Sequence, residues 1–327
     1  MTLNTPINKA LIDYPQEELI AHFRAICADE ELLIYEPLAK HSTFQIGGPA
    51  WMLALPSSLW QIQDLLRCAK ELNLSWIVIG CGSDLLFPDE GYAGLVIKLA
   101  QNFSSYKREG TALWAQCGLS MIDLSRIALK ESLSGFEFAC GIPGSLGGGI
   151  YMNAGAYGGQ ISDVLKEANV LMPDGNIKRF EFSEKDFGYR KSPLAHVSGI
   201  ILDARFSLKP DSPLAIKAIM DDLTQRREAK QPLELPSGGS SFKRPAEGQG
   251  YASALIDEAG LKGCTKGGAQ VSTKHAGFIV NIGNATAADV LELVEHVRQQ
   301  VKRKFNVELE PELRIVNPYS KQKDLQH

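Results

Sequence analysis

The 327-residue chain lacks the features that most quickly assign a protein to a class. Its six cysteines, Cys27, Cys68, Cys81, Cys117, Cys140 and Cys264, never pair as CxxC, and its six histidines fall in no HExxH-like spacing. No metal site is expected, and thiols scattered in this way suit a reducing cytoplasm. No apolar run approaches the ~18 residues that a membrane span requires. The stretch "MTLNTPINKALIDYPQEELIAHF" has no basic start followed by an apolar core, so no leader is expected. Positive charge is not in excess either. With 34 Lys and Arg against 38 Asp and Glu, the formal charge is −4, and no global field draws the chain to nucleic acid or an anionic membrane. An anion site must therefore be a local cluster. Internal repeats are missing too, whereas a hydrophobic fraction of 44% supports real cores over two or three domains.

What is present is a mixed α and β pattern. In "PQEELIAHFRAI" the residues Leu19, Ile20, Phe23 and Ile26 share a helical face, and "STFQIGGPAWMLALP" reads as strand, glycine turn, strand. An amphipathic helix "LWQIQDLLRCAKELN", the strand "SWIVIG", the loop "CGSDLLFPDEGYAG" and the strand "LVIKLA" follow. The helix "MIDLSRIALKES" leads into the glycine run "CGIPGSLGGGIYMNAGAYGG" and the strands "EANVLMPDG" and "GIILDARFSLKP". Pro210 and Pro213 mark a boundary, beyond which "LAIKAIMDDLTQRREAKQP" is helical. In the last helix Thr286 is the cap with Asp289 in the first turn, Val290, Val294, Val297 and Val301 form one face, and Asn306 is the stop. Lys302, Arg303 and Lys304 read as a solvated face at the helix C-terminus, where cations are favoured.

Two glycine loops stand out. "VIGCGSDLL" follows a strand and supplies GxG, but Leu85 replaces the third glycine of a dinucleotide fingerprint and no helix clearly starts there. "GIPGSLGGG" brings Gly141, Gly144, Gly147, Gly148 and Gly149 together with Ser145, again outside that spacing. Such loops either let backbone N–H groups approach an anion, commonly a pyrophosphate, or are simply tight turns. A third stretch, "PSGGSSFKRP" at residues 236–245, is too polar and too loose for packing, and reads as a loop that serves a site.

In this order, "STFQIGG", "GCGSDLLFPDEGYAGLVI", "GIPGSLGGGIYMNAGAYGG", "FGYRKS", "PSGGSSFKRP", "GLKGCTKGGAQVSTKHAGFIVN" and "ELEPELRIV" resemble the UDP-N-acetylenolpyruvoylglucosamine reductase family from about Thr43 to Val316. The resemblance implies an α+β fold: a two-part FAD-binding unit of the vanillyl-alcohol-oxidase-like type and a C-terminal α+β substrate-binding domain. The expected divisions are an N-terminal helical segment at 1–30, FAD-binding subdomains at 31–100 and 101–212, the substrate domain at 213–316 and a tail at 317–327. It also implies FAD as cofactor, held by the amides of Gly80, Cys81, Gly82, Ser83, Gly144, Ser145 and Gly148, with Ile46, Gly47 and Ala154 nearby. Asp84 stands where the family usually has asparagine. Its charge would repel a phosphate, so either the side chain faces away or the local hydrogen bonding differs.

The resembled reaction takes hydride from NADPH through FAD to the enol ether of UDP-N-acetylglucosamine enolpyruvate. Charge develops on the carbon beside the carboxylate, so the site must supply cations and a proton. Ser240 matches the family's proton donor, with Gly238 and Gly239 letting its loop approach the flavin and Ser237 and Ser241 serving turn amides. Arg190 matches the arginine that stabilises the intermediate; standing alone it would read as a surface ion pair. Glu312 matches the catalytic acid. Alternation in "VELEPELRIV" sets Glu308, Glu310, Glu312 and Arg314 on one side and Leu309, Leu313 and Ile315 on the other, unless Pro311 interrupts the pairing. Tyr157, Lys230, Arg244 and Arg314 fall at substrate positions, with Arg227 a weaker candidate and Gln270 and Lys274 as contacts without a fixed role. No lid tyrosine is assigned. The partner implied is a small nucleotide sugar, with no nucleic acid, membrane or obligate protein partner. Two rivals remain at this level. One is another oxidase or dehydrogenase on the same scaffold, though no histidine sits in either glycine loop to tether a flavin. The other is a silent UDP-sugar sensor, which would not need the trio Ser240, Arg190 and Glu312.

Overall fold

The computed structural model describes residues 16–319; residues 1–15 of the expected N-terminal segment and 320–327 of the expected tail lie outside the described residues. Helix α1 (Gln16–Arg24) buries Leu19 and Phe23, the face its spacing predicts. Strands β1 (Leu32–Pro37) and β2 (Pro49–Ala54) are followed by helix α2 (Leu59–Glu71), whose Ser58 cap accepts from the Gln61 amide. Strand β3 (Trp76–Ile79), the short β4 (Leu85–Leu86) and β5 (Tyr92–Lys98) complete this part. The sheet runs β1-β2-β5-β3, antiparallel at β1/β2 and parallel elsewhere. Both faces of it are covered, which is why β5 reads as an apolar run. Leu95 and Ile97 pack with α1 and α2, while Tyr92 and Val96 pack with Leu38 and Phe87. The strand expected at "STFQ" does not form: Gln45 and Gly47 take positive φ of 55° and 138°, and the antiparallel partner of β2 is β1 instead.

Strands β6 (Tyr106–Glu109) and β7 (Ala112–Gln116), helix α3 (Met121–Lys130) and the short β8 (Leu133–Ser134) come next. Then follow α4 (Leu146–Tyr151), the pair β9 (Gly155–Ala156) and β10 (Gly159–Gln160), and β11 (Leu165–Leu171), β12 (Ile177–Glu181), β13 (Ile200–Ser207) and β14 (Lys209–Pro210). The antiparallel sheet β12-β11-β13-β7-β6 directs Ala204 and Phe206 of β13 onto a core shared with α3 and α4. Helix α4 is a correction to the sequence reading, which left "GSLGGG" as loop. Ser145 caps it by accepting from the Gly148 amide, and Gly149 is required because a Cβ there would come within 2.7 Å of Met121 Sδ.

Helix α5 (Pro213–Lys230) buries Ile216, Met220 and Leu223 and packs back on α3 and residues 137–139. Strand β15 (Ser237–Ser240), helix α6 (Ala252–Glu258), strands β16 (Thr265–Lys266), β17 (Ala269–Val271) and β18 (Phe278–Asn281), helix α7 (Ala287–Phe305) and β19 (Arg314–Ile315) complete the described chain. The antiparallel sheet is β15-β18-β17-β16. Helix α7 carries the Thr286/Asp289 capping box, buries the four expected valines and ends at Asn306 with φ 56°. Strand β19 pairs in parallel with β4, which brings the end of the described chain onto the first glycine loop.

Two further readings are corrected here. "PSGGSS" is packed: its residues 237–240 are an edge strand whose register slips between Ser237 and Ser240, and Gly238 lies against Leu313 and Phe44 with no room for a Cβ. Gly239, at φ 77° and open on its side-chain face, is the glycine that faces free space. Ser241 is fully buried and its hydroxyl accepts from the Ile279 amide, while Ser237 is tied through its backbone to Thr43. Pro311 does not break its ladder. It sits opposite Phe242, and the flanking bonds Lys243 N to Glu310 O and Glu312 N to Ser241 O need no N–H from it. Leu309 and Leu313 are buried as expected, but Ile315 is exposed and Val316 is buried in its place.

Candidate active site

A cleft of about 470 Å³ opens where the three sheets meet, lined by both glycine loops, β15, the Arg190 turn and the end of the described chain. Its first wall is residues 80–84. The amides of Cys81, Gly82 and Ser83 donate to no protein acceptor among the described residues, so they are free to receive an anion. Gly82, at φ 63°, lies over the His41 carbonyl, and a Cβ on Gly80 would meet Ser145 Oγ at 1.8 Å, so the two loops interlock there. Gly144 differs. A Cβ there would meet Ser83 Oγ at 3.5 Å and Ile142 Cγ2 at 4.0 Å, ordinary contacts that need no shift. Free amides beside this lightly packed glycine give the loop a backbone surface suited to an anion.

The rest of the lining carries most of the charged groups. Arg190 lies in the turn closed by Gly188 and Lys191, at φ 53°, a conformation that costs a non-glycine residue energy and that is held here by the tertiary contacts of its side chain. Its Nε donates to Glu312 Oε1 at 2.5 Å, and its guanidinium stacks over Tyr189. This pair is mostly buried, at 24% and 11% side-chain exposure, so it is not the surface ion pair that Arg190 alone suggested. Burial raises the Glu312 pKa; Arg190 opposes that shift and the Asp84 charge adds to it. Across the ladder from Glu312, Ser240 donates its hydroxyl to the Phe242 carbonyl at 3.2 Å. Arg314 donates to the Tyr151 hydroxyl at 3.2 Å with its guanidinium 4.6 Å from that ring's centre, and its amide donates to the Asp84 carbonyl at 2.8 Å.

Among the residues expected at the site, Gly80, Cys81, Gly82, Ser83, Asp84, Gly144, Ser145, Gly148, Ala154, Arg190, Arg227, Ser240, Glu312 and Arg314 line this cleft. Arg227 is held low in pKa by burial, has no carboxylate partner among the described residues, and lies against Gly141. Six do not line it. Ile46 is packed in the C-terminal core, and Gly47 is wedged against Phe87 and Leu38. Tyr157 is 45% exposed, Arg244 stacks on Tyr189 and Tyr251 at the rim, Gln270 pairs opposite Val280 on β17, and Lys230 ends α5. Lys274 donates to the Glu228 carbonyl. Tyr151, Gln231 and His275 line the cleft without having been singled out in the sequence. Tyr151 and His275 lay inside motifs already quoted, but an isolated aromatic or histidine carries no spacing signal.

Free amides in a glycine loop, a serine hydroxyl and a mostly buried guanidinium share this cleft, and comparison with known sequences places the chain among flavin-dependent oxidoreductases. Residues 51–181 match the family model described as FAD binding domain, and residues 231–316 match that of the UDP-N-acetylenolpyruvoylglucosamine reductase C-terminal domain. The chain is 49% identical over 288 residues to the UDP-N-acetylenolpyruvoylglucosamine reductase of Limosilactobacillus reuteri, covering 88% of this chain and 96% of that protein. It is 46% identical over 301 residues to the enzyme of that name from Geobacillus thermodenitrificans, covering 92% and 98%. The crystal structure of the reductase from Thermus caldophilus superposes with a TM-score of 0.73 at 34% identity, covering 88% of this chain and 98% of that one. The chain belongs to the UDP-N-acetylenolpyruvoylglucosamine reductase family, and the expected α+β architecture, an FAD-binding unit followed by the family's C-terminal domain, is the one observed. No described helix is long and apolar enough to cross a membrane.

Proposed function

We propose that this protein reduces UDP-N-acetylglucosamine enolpyruvate to UDP-N-acetylmuramate with NADPH as hydride source, a cytoplasmic step of peptidoglycan precursor synthesis. The observation that carries the reading is that Ser240 and the Arg190–Glu312 pair face one cleft with both glycine loops. Hydride relay from NADPH to the terminal alkene carbon is the chemistry that FAD supplies when bound. The protein's own residues handle the charge that results. Ser240 gives its proton to the carbon beside the carboxylate; its single bond to Phe242 leaves the hydroxyl able to rotate towards that carbon. Arg190 stabilises the negative charge spreading into the carboxylate, and its fixed charge and planar fork suit that task. Glu312 holds Arg190 in position.

The loop amides at residues 81–83, with those of Gly144 and Ser145, hold the pyrophosphate of FAD, whereas the Gly148 amide expected to join them is taken by the Ser145 hydroxyl; Gly80 and Ala154 line the same cleft, with Ile46 and Gly47 behind it. Arg227 and Arg314, inside the cleft, meet the anionic parts of the substrate. Tyr157, Lys230, Arg244 and Gln270, outside it, extend the site towards the nucleotide end. We assign residues 31–100 and 101–212 to FAD binding and 213–316 to substrate binding; the C-terminal family match beginning at residue 231 supports a division near α5. The deciding experiment is the visible spectrum of the purified protein. NADPH should bleach its flavin bands, and the enolpyruvyl nucleotide sugar, added without oxygen, should restore them. Bleaching without recovery would overturn the substrate assignment.

A further inference from the structure

Behind the first glycine loop runs a chain of charged side chains that the proposed reaction does not use. Glu36 of β1, His41 of the short turn Leu38–His41 and Lys98 at the end of β5 bond in series: His41 Nε2 meets Glu36 Oε1 at 3.1 Å, and His41 Nδ1 meets Lys98 Nζ at 3.1 Å. His41 and Glu36 keep only 12% and 16% of their side chains exposed, and Lys98 is half-buried. An ionised carboxylate only accepts and an ammonium only donates, so His41 between them is the neutral ring, with its hydrogen on Nε2 and its lone pair on Nδ1. Basicity agrees. A lysine holds its proton ~4 pH units more firmly than a histidine. Burial lowers the pKa of Lys98 from that high starting point, and burial followed by the Lys98 charge lowers the pKa of His41. The other groups facing this chain are Lys40 of the same turn, 3.3 Å from Glu36 Oε1, and the Cys81 thiol beside Lys98, whose pKa burial raises.

The same histidine helps to seat the loop. Its carbonyl lies under Gly82, where a Cβ would come within 2.2 Å of it, and two residues on the Thr43 amide donates to the Gly82 carbonyl at 3.2 Å. Lys98 stands opposite Ile79 in the β3–β5 register, immediately before the loop begins. We propose that His41 is a positioning residue for the FAD-binding loop: as a neutral ring it joins Glu36 to Lys98 and keeps residues 80–85 seated, and its protonation unseats them and weakens FAD binding. A proton on Nδ1 would set two donors and two positive charges against each other at 3.1 Å, so either Lys98 or the segment carrying His41 must move. Both adjoin the loop. FAD needs the loop in place and therefore favours the neutral ring, which makes the pKa of His41 lower in the FAD-bound protein than in the FAD-free one. Affinity is then full above the FAD-free titration point and falls with pH below it, by up to about tenfold per pH unit, until the bound form also takes up the proton. The inference rests on the assignment of the FAD pyrophosphate to the amides of residues 81–83 and requires nothing of the substrate.

The test measures FAD affinity of the parent and of His41→Gln by equilibrium dialysis from about pH 5 to about pH 8, the range over which a histidine titrates. Imidazole nitrogen-15 resonances of the FAD-free parent and of Lys98→Met are followed over the same range, with His41 assigned by its loss in His41→Gln. Glutamine can offer a carbonyl to Lys98 and an amide N–H to Glu36 without titrating, so His41→Gln should bind FAD like the parent at the basic end and should lack the parent's fall in acid. The parent ring should show the Nε2–H tautomer at the basic end. Lys98→Met removes the competing cation and should raise the pH at which His41 titrates, a readout that a merely structural lysine would leave in place. An acid fall that survives in His41→Gln, or a His41 titration that Lys98→Met does not move, would overturn the proposal. The amide resonances of Cys81, Gly82 and Ser83 keep it apart from the assignment beneath it. If FAD leaves those amides unshifted, the pyrophosphate lies elsewhere and both fall; if FAD shifts them while the parent's affinity ignores pH, the proposal alone is overturned.

Discussion

The two ends of the cleft are built by different means. The cradle is made of backbone: free amides at residues 81–83 and glycines that interlock or leave space, contributed by two short contiguous runs. The other end is made of side chains, with Arg190 and Glu312 bonded although 122 residues apart in sequence, Arg314 two residues beyond Glu312, and Ser240 brought in from a third segment. A methyl group should therefore harm the first more than a lost charge would, and the second should respond in the opposite way. That asymmetry separates the two half-reactions, since NADPH needs only to reach the flavin while the substrate needs the side chains.

The largest effect should come from Ser240→Ala. Reduction of the flavin by NADPH should remain near the parent rate, and reoxidation by substrate should slow by roughly 10²–10⁴-fold, the usual contribution of a positioned proton donor. Stopped-flow traces of each half-reaction decide it. Equal loss in both halves would erase the distinction between the two ends.

Next in size is Arg190. Arg190→Met keeps bulk and loses charge, and should cost about 3 kcal/mol of transition-state stabilisation, by analogy with the loss of one preorganised donor. Arg190→Lys keeps charge without the fork and should retain more of the reoxidation rate. The loss should fall on turnover rather than on substrate affinity. A Met variant at the parent rate would move the electrostatic centre to Arg314.

The difference between the two ends also explains what the sequence disclosed. Helix α7 was legible down to its Thr286 cap and Asn306 stop because caps and periodicity are local signals. Both glycine runs were visible for the same reason, although α4 inside the second was not, since three successive glycines argue against a helix that only the Ser145 cap and packing on Met121 sustain. "PSGGSS" looked loose because its partners, Phe44, Leu313 and β18, lie far off in sequence. The trio was assigned through family likeness, and no spacing rule could have paired Arg190 with Glu312. The orientation of Asp84 was left open, because it depends on the β4–β19 pairing that only the folded chain reveals.

On the cradle side, Gly80→Ala should cost roughly 1–3 kcal/mol of folding stability, the range for overpacking a filled site, because its Cβ would collide with Ser145 Oγ at 1.8 Å. Thermal unfolding of the FAD-free protein reads this directly. An unchanged midpoint would mean that Ser145 can rotate away and that the two loops are less firmly interlocked than their contact implies.

The smallest change sharpens the comparison most. Gly144→Ala places its methyl in ordinary contact with Ser83 Oγ at 3.5 Å and Ile142 Cγ2 at 4.0 Å, and Gly144 is not among the glycines with positive φ, so the folded FAD-free protein has no reason to resist it. Stability should hold or rise by ~0.4–1 kcal/mol through the lower entropy of the unfolded chain. Bound FAD would meet that methyl where its pyrophosphate approaches the loop amides, so its affinity should weaken by about tenfold, equivalent to about 1.4 kcal/mol. Ser240→Ala should do the reverse, sparing FAD affinity and slowing reoxidation. Equilibrium dialysis of FAD against both variants, beside unfolding curves of the FAD-free proteins, tests the pair together. Unchanged FAD affinity in Gly144→Ala would place the pyrophosphate away from Gly144 and leave the amides at 81–83 as the anion cradle by themselves.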